Sequence, residues 1–168
     1  MTGLPDESDA PAVAALSQPL DVAAAAPEDM ARALARGVSR MLGEAGHTCL
    51  CEFTLRNGRR ADVIAMAPDG SFTIVEIKTS ANDFRADGKW PEYLDFCDLF
   101  YFAVRERFPQ RLIPRSCGLI VADAYGAAVL RPAEETRLNG ARRKALTLRF
   151  AETAGRRLMR LLDPAALL

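Results

Sequence analysis

The sequence predicts a mixed α/β domain built on one central sheet. Three observations carry that prediction. An amphipathic helical repeat begins near residue 30, three short β-rich runs are closed by tight-turn sequences, and an apolar strand, Leu99–Val104, follows a helical stretch. At 168 residues the chain suits one ordinary domain with room for a real core.

Residues 1–27 carry Asp6, Glu7, Asp9 and Asp21, no Lys or Arg, and an Ala/Pro/Ser background. Such a segment has little to bury and reads as a disordered acidic tail, leaving a single domain over 28–168. From Pro27 the pattern changes. Met30, Leu34, Val38, Met41, Leu42 and Ala45 recur at helical spacing, with Glu28 and Asp29 in the first turn and Gly46 at the end, so a helix is expected over residues 28–45.

Thr48–Arg56 is a strand leading into Asn57-Gly58, the strongest short hairpin signal. Arg60–Ala67 is the second strand, Pro68-Asp69-Gly70-Ser71 the next turn, and Phe72–Lys78 the third strand. Ser80 is placed to cap a helix over 82–87, and Pro91 suits the first turn of a second helical piece ending at Cys97. After Leu99–Val104, Leu119–Ala122 and Ala127–Leu130 form a hairpin around Tyr125-Gly126, and residues 139–162 form a last helix. The order is α-β-β-β-α-β, then a hairpin and a helix.

Composition narrows the function classes. No apolar run is long enough to span a bilayer, and the opening MTGLPDESDA lacks the basic start of a secretory signal. Cys49, Cys51, Cys97 and Cys117 contain no C-x-x-C pair, and with His47 as the one histidine they cannot supply a structural zinc site. They read as small apolar residues in a reducing compartment, so a cytoplasmic protein is expected. His47 beside Gly46 reads as a surface residue at a helix end rather than half of a Cys–His pair.

The 22 basic and 22 acidic residues cancel, but unevenly. Beyond the acidic tail 22 basic residues face 18 acidic ones, and residues 131–160 alone hold nine Lys/Arg against Glu134, Glu135 and Glu152. On a helical wheel Arg142, Arg149, Arg156 and Arg160 form one stripe, with Leu148, Ala151, Leu158 and Leu162 opposite as the apolar face. Clustered cations of this kind suit a phosphate-tracking face, so neutrality does not exclude DNA. Association of the same helix with a membrane surface is the weaker alternative.

The stretch RRADVIAM…FTIVEIKTS carries the chemistry. Glu76 and Lys78 share a strand face, roughly 7 Å apart. Whether Asp62 joins them depends on the turn. A two-residue Asp69-Gly70 turn pairs Asp62 with Ile77 and turns it away, while a three-residue loop over Asp69–Ser71 pairs it with Lys78 and gathers all three groups. A bulge has the same effect. Buried charges are normally paired or bound to metal, and two carboxylates on one face repel unless a cation sits between them. Their oxygens suit Mg²⁺, and a nearby ammonium can orient water and stabilise charge on phosphorus. That set describes phosphodiester hydrolysis. The plain alternative is a Glu–Lys pair at a solvated strand end with an unrelated Asp62.

Asp62…Glu76-x-Lys78 on this helix–hairpin–strand order resembles the PD-(D/E)xK phosphodiesterase superfamily. More narrowly, VEIKTSANDFRADGKWPEYLDFCDLFYFAV, with GRRAD before it and GLIVADAYGAAVLRPA after it, resembles MmcB-type bacterial DNA repair proteins over roughly residues 28–160. The resemblance implies a restriction-endonuclease-like αβββαβ core with a central mixed sheet. It implies catalysis by Asp62, Glu76 and Lys78, with Asp62, Glu76 and the Ile77 carbonyl holding Mg²⁺ or Mn²⁺ and Lys78 positioning the attacking water. Ala61 stands where the superfamily pattern has Pro. Glu52 is the first-strand candidate for a further acidic ligand, but a two-residue Asn57-Gly58 turn would pair Phe53 with Asp62 and face Glu52 away.

Around that core, Arg59, Arg60, Lys89, Arg142, Arg149 and Arg156 are the candidate DNA-binding cations. Asp83, Asp87, Asp95 and Asp98 read as caps and solvation for two short helices rather than more metal ligands. Trp90, near Tyr93 and Phe96, reads as core. DNA is the expected partner, with other repair proteins and a second copy of the chain as further candidates and no membrane. A nuclease-fold scaffold that binds DNA without cutting it is the alternative function.

Overall fold

The computed structural model describes residues 26–165. The acidic tail inferred from sequence falls almost wholly outside the described residues.

Helix α1 (Pro27–Glu44) starts with Pro27 in its first turn and buries Met30, Leu34, Val38 and Leu42. Strands β1 (Thr48–Thr54), β2 (Arg60–Met66) and β3 (Phe72–Lys78) form an antiparallel meander. Short helix α2 (Ala81–Ala86) follows, its Asp83 amide donating to the Ser80 hydroxyl. A 3-10 turn, Trp90–Phe96, then leads into β4 (Leu99–Val104), which lies parallel to β3. After a second 3-10 turn, Gln110–Leu112, β5 (Gly118–Ala122) pairs parallel to β4, and β6 (Ala127–Arg131) returns antiparallel to β5. Helix α3 (Gly140–Leu162) closes the fold.

The sheet runs β1-β2-β3-β4-β5-β6 in strict sequence order. This is the mixed α/β architecture expected from sequence, with a six-stranded central sheet and a C-terminal helix. One face packs on α1 through Val63, Ala65, Val75, Ile77, Ala103 and Ile120. The other carries the larger core, where Phe53 and Phe72 contact Phe150 of α3 with ring centroids 6.1 and 5.9 Å away. Each such buried ring contributes about 2–3 kcal/mol of hydrophobic stabilisation. Strand β3 is covered on both faces, and all seven of its residues are buried. Trp90 stacks on Phe100 at 5.7 Å and is core, as its neighbours suggested.

Both hairpin turns differ from expectation, and the difference sets the site. Leu55 and Arg59 flank a three-residue loop with Gly58 at φ 82°, a conformation glycine adopts without strain. The register that follows pairs Phe53 with Ala61, not Asp62. In the second hairpin Ala67 and Ser71 flank Pro68-Asp69-Gly70, and Met66 pairs with Phe72. Continued along the strands, this register sets Asp62 opposite Glu76. Neither turn weighed from sequence gives that pairing.

Helix α3 is rotated from the orientation its hydrophobicity suggests. Its buried residues are Leu146 and Phe150, while Leu148, Leu158 and Leu162 are 63%, 56% and 77% exposed and Ala151 is exposed. Polar anchors fix the rotation. Asp98, 2% exposed, accepts from the Phe72 and Leu138 amides at 2.7 and 2.9 Å and from two guanidinium nitrogens of Arg143 at 2.6 and 3.0 Å. Arg149 donates to the Thr54 carbonyl, and Arg157 to those of Cys51 and Glu52. Asp98 therefore ties α3 to the sheet, and neither caps a short helix nor extends a metal site.

Among the described residues no helix is long and apolar enough to cross a membrane. All four cysteines are free thiols, Cys97 and Cys117 buried and the other two half-buried. His47 is half-buried at the α1–β1 junction rather than on the surface, with its Nδ1 unpartnered.

Candidate functional site

The β2–β3 ladder stops at Val63 and Val75. Beyond it the two strands are joined by side chains instead. The Ile77 amide donates to Asp62 Oδ2 at 2.7 Å, and the Asp62 amide donates to Glu76 Oε1 at 3.3 Å. Each carboxylate thus replaces a missing ladder bond of the other's strand. In a strand, one residue's N–H and C=O point to the same side, so the Ile77 carbonyl faces this opening as well.

A break in alternation places Asp62 there. Phe53 and its partner Ala61 join the α3-side core, whereas Cys51 and its partner Val63 pack toward α1. The two strands exchange faces at Glu52 and Asp62, where Glu52 has φ 51°, an uncommon conformation for a non-glycine residue. Glu52 therefore lies opposite Asp62 in register, the three-residue loop having shifted the pairing by one residue. Its carboxylate is turned to Arg60, at 2.6 Å.

Electrostatically the site is tense. Glu76 is 4% exposed, and burial, followed by the charge of Asp62, pushes its pKa up to about 8. Burial also raises Asp62, against the opposing pull of the Ile77 amide and Lys78. Lys78 is 5% exposed, and its ammonium sits 2.5 Å from Asp87. Burial works to lower the lysine, but the Asp87 hydrogen bond and charge outweigh it and hold it above its ordinary value. Asp87 sits below the usual carboxylate range, since its bonds to Lys78 and the Lys89 amide outweigh its desolvation. Asp87 is thus the counter-ion of Lys78, a role its place among the capping acids concealed.

These groups open into a cleft of about 690 Å³ at the carboxyl end of β3, walled by Pro27 and Met30 of α1 and by Thr79, Ser80 and Asp83 before and within α2. Asp83 accepts from the Thr79 amide at 3.0 Å, bracing the turn out of β3. Among the described residues no group of three or more His, Cys, Asp or Glu is gathered. The donor set is therefore two carboxylates and a carbonyl. Those hard oxygens fit Mg²⁺ or Mn²⁺, and Mg²⁺ commonly binds through one or two carboxylates while keeping several waters.

The candidate DNA-binding cations are mostly engaged elsewhere. Arg59 makes two 2.8 Å bonds to Glu92, Arg60 pairs with Glu52, Arg142 with Asp95 at 2.7 Å, and Arg156 with Glu152 at 2.7 Å. Arg149 serves the Thr54 carbonyl, and Lys89 is exposed. Sequence reasoning passed over Arg105 and Arg107, which follow β4 directly and form no ion pair among the described residues. Their position just past the end of a parallel strand was the available signal, since ligands gather at such ends.

Comparison with known proteins gives a family and a similar fold. A family model described as DNA repair protein MmcB-like matches residues 19–165. A solved structure, the SPO1766 protein of unknown function from Silicibacter pomeroyi, is similar at 42% identity with a TM-score of 0.80, covering 86% of this chain and 97% of that one. No curated protein matches.

Proposed function

The chain belongs to the MmcB-like family of DNA repair proteins, and from that premise we propose that it is a metal-dependent DNA phosphodiesterase of the PD-(D/E)xK kind. The observation that carries the reading is the facing pair of half-buried Asp62 and buried Glu76, interlocked at the mouth of a cleft. Two such carboxylates are unfavourable together without a cation, and Glu76 is raised first by its burial and then by the charge of Asp62. Asp62, Glu76 and the Ile77 carbonyl would hold Mg²⁺ or Mn²⁺, which supplies Lewis acidity toward a phosphate oxygen.

The chain's own groups do the rest. Lys78 stays an ammonium beside Asp87, so it donates hydrogen bonds and does not serve as a base. In that form it orients a water and stabilises negative charge developing on the phosphoryl oxygens. Asp87 holds the Lys78 head while substrate is absent, and a phosphate arriving in the cleft competes for the same ammonium. Glu52, opposite Asp62 but bound to Arg60, stands as a rim group.

One observation favours a second reading. With no third acid grouped with Asp62 and Glu76 to hold a metal among the described residues, and Lys78 held by Asp87, the same geometry suits a DNA-binding scaffold that does not cut. Incubation with single-stranded, duplex, flapped and branched DNA plus Mg²⁺ or Mn²⁺ separates the two, with Lys78→Ala and Asp62→Asn beside the wild type. Metal-dependent cleavage lost in both variants supports the hydrolase. DNA binding without cleavage of any substrate supports the scaffold, and equal cleavage by the variants rules out this site.

A further inference from the structure

A second, larger cleft of about 920 Å³ runs on from the first, the two sharing Met30 and Arg105. Its place follows from the sheet. Lys78 pairs in register with Val104, and Val104 with Val121, so β3, β4 and β5 end at one edge. The residues just beyond are Thr79, Arg105 and, one residue further along, Asp123, at the carboxyl ends of three parallel strands, where ligand crevices form. The amino-terminal half of α1 is the opposite wall. It is held close by Gly37, where an added Cβ would lie 2.2 Å from the Asp123 carbonyl oxygen.

From this continuity we infer that the groove is the track for an unpaired stretch of DNA, leading it to Asp62 and Glu76. This rests on the phosphodiesterase reading for its end point, but not for its binding. Three features select the occupant. Arg105 and Arg107 form no ion pair among the described residues, so both guanidinium groups are open to a phosphate backbone, with Glu106 and Asp123 the acids of the same lining. The floor is apolar, with Leu130, 54% exposed, and Ala128 lying over the buried Met30 and Leu34. Tyr125, 67% exposed, stands at the rim in the β5–β6 turn. A duplex presents phosphates outward and keeps its bases stacked inside, so it cannot fill an apolar-floored cleft. An unpaired strand can, laying bases on the floor and the tyrosine while its phosphates meet the arginines. Asp123 keeps its charge, held below the usual carboxylate range by the Gly126 and Tyr125 amides at 2.9 and 2.7 Å, but those bonds turn its carboxylate into its own turn.

The test is fluorescence anisotropy with a labelled oligothymidylate and, separately, a matched duplex, using the full chain in EDTA so that binding is read without cleavage. Arg107→Ala/Tyr125→Ala should weaken oligothymidylate binding tenfold or more and change duplex affinity little. Arg107→Glu, an exposed charge reversal touching no packed group, should weaken it further. The slope of log affinity against log salt should flatten by about 0.7 for each phosphate left without its arginine. Wild-type-like binding by both variants overturns the groove, as does weakening confined to Arg149→Ala, which would move the strand to α3. Groove-dependent binding with no cleavage under any metal leaves the groove standing and removes the hydrolase. Cleavage that is indifferent to the groove variants does the reverse.

Discussion

Replacing Glu76 by Gln isolates the frustration of the carboxylate pair. The amide keeps an oxygen for the Asp62 amide, 3.3 Å away in the native protein, and removes the charge. Glu76 rises from 4.5 to about 8 in the folded state, with burial the leading cause and Asp62 the next. A folded pKa above the unfolded one means that the native state binds the extra proton. Its stabilising contribution is complete below about pH 4.5 and is lost as pH climbs through about 8. At 1.36 kcal/mol per unit the loss has a ceiling of about 5 kcal/mol, and relaxation of the site makes about 2–3 kcal/mol a realistic order. Urea unfolding in EDTA near pH 5, 7 and 9 reads it directly. The wild type should lose stability relative to Glu76→Gln across that range, with near-equal stabilities at the acid end. Saturating Mg²⁺ should erase or reverse the trend in the wild type alone, because the ion binds the ionised pair. Parallel curves for the two proteins in EDTA would mean that Glu76 does not carry the pH dependence.

Other expectations come from the same contacts. Asp98→Ala should cost about 3–5 kcal/mol by stranding Arg143 and two amides, and should loosen α3 first, measured by amide exchange along residues 143–157. Because Asp98 is held below its ordinary value by those same bonds, its contribution is present above about pH 4 and fades as pH falls further. Gly37→Ala drives a Cβ onto the carbonyl oxygens of Asp123 and Gly126, at 2.2 and 2.5 Å, so a loss of about 1–3 kcal/mol or more is expected in thermal unfolding. Asp87→Asn removes the counter-ion of Lys78, so the lysine pKa should fall, visible by NMR of its ε-methylene group.

Much of this was legible in the sequence because local signals agreed with one another. Strand β3 is an unbroken apolar run apart from Thr73, Glu76 and Lys78, and its bounds, Phe72–Lys78, follow from that alone. Ser80 and Pro91 marked the two short helical pieces. The pairing of Asp62 was not legible, because turn length decides register and Asn57-Gly58 or Asp69-Gly70 fits a three-residue loop as well as a two-residue one. Nor does strict alternation foresee the exchange of faces at Glu52 and Asp62. In α3 the hydrophobic stripe pointed the wrong way. A buried ion pair, Asp98–Arg143, and arginine bonds to sheet carbonyls outweigh the burial of Leu148, Leu158 and Leu162, and no periodicity analysis weighs bonds 45 residues apart. The arginines that looked free for DNA are held by partners distant in sequence, such as Glu92 and Asp95. Arg105 and Arg107, without ion pairs among the described residues, follow strand β4, where only topology reveals a crevice.

Counting Mn²⁺ bound to the full chain near pH 8.5, by the loss of the free-ion paramagnetic resonance signal, tests the carboxylate pair most directly. One ion per chain is expected in the wild type, lost in both Asp62→Asn and Glu76→Gln and retained in Glu52→Gln, since the native Glu52 carboxylate is turned to Arg60. Undiminished binding in either of the first two variants, or none in the wild type at millimolar Mn²⁺, would contradict it.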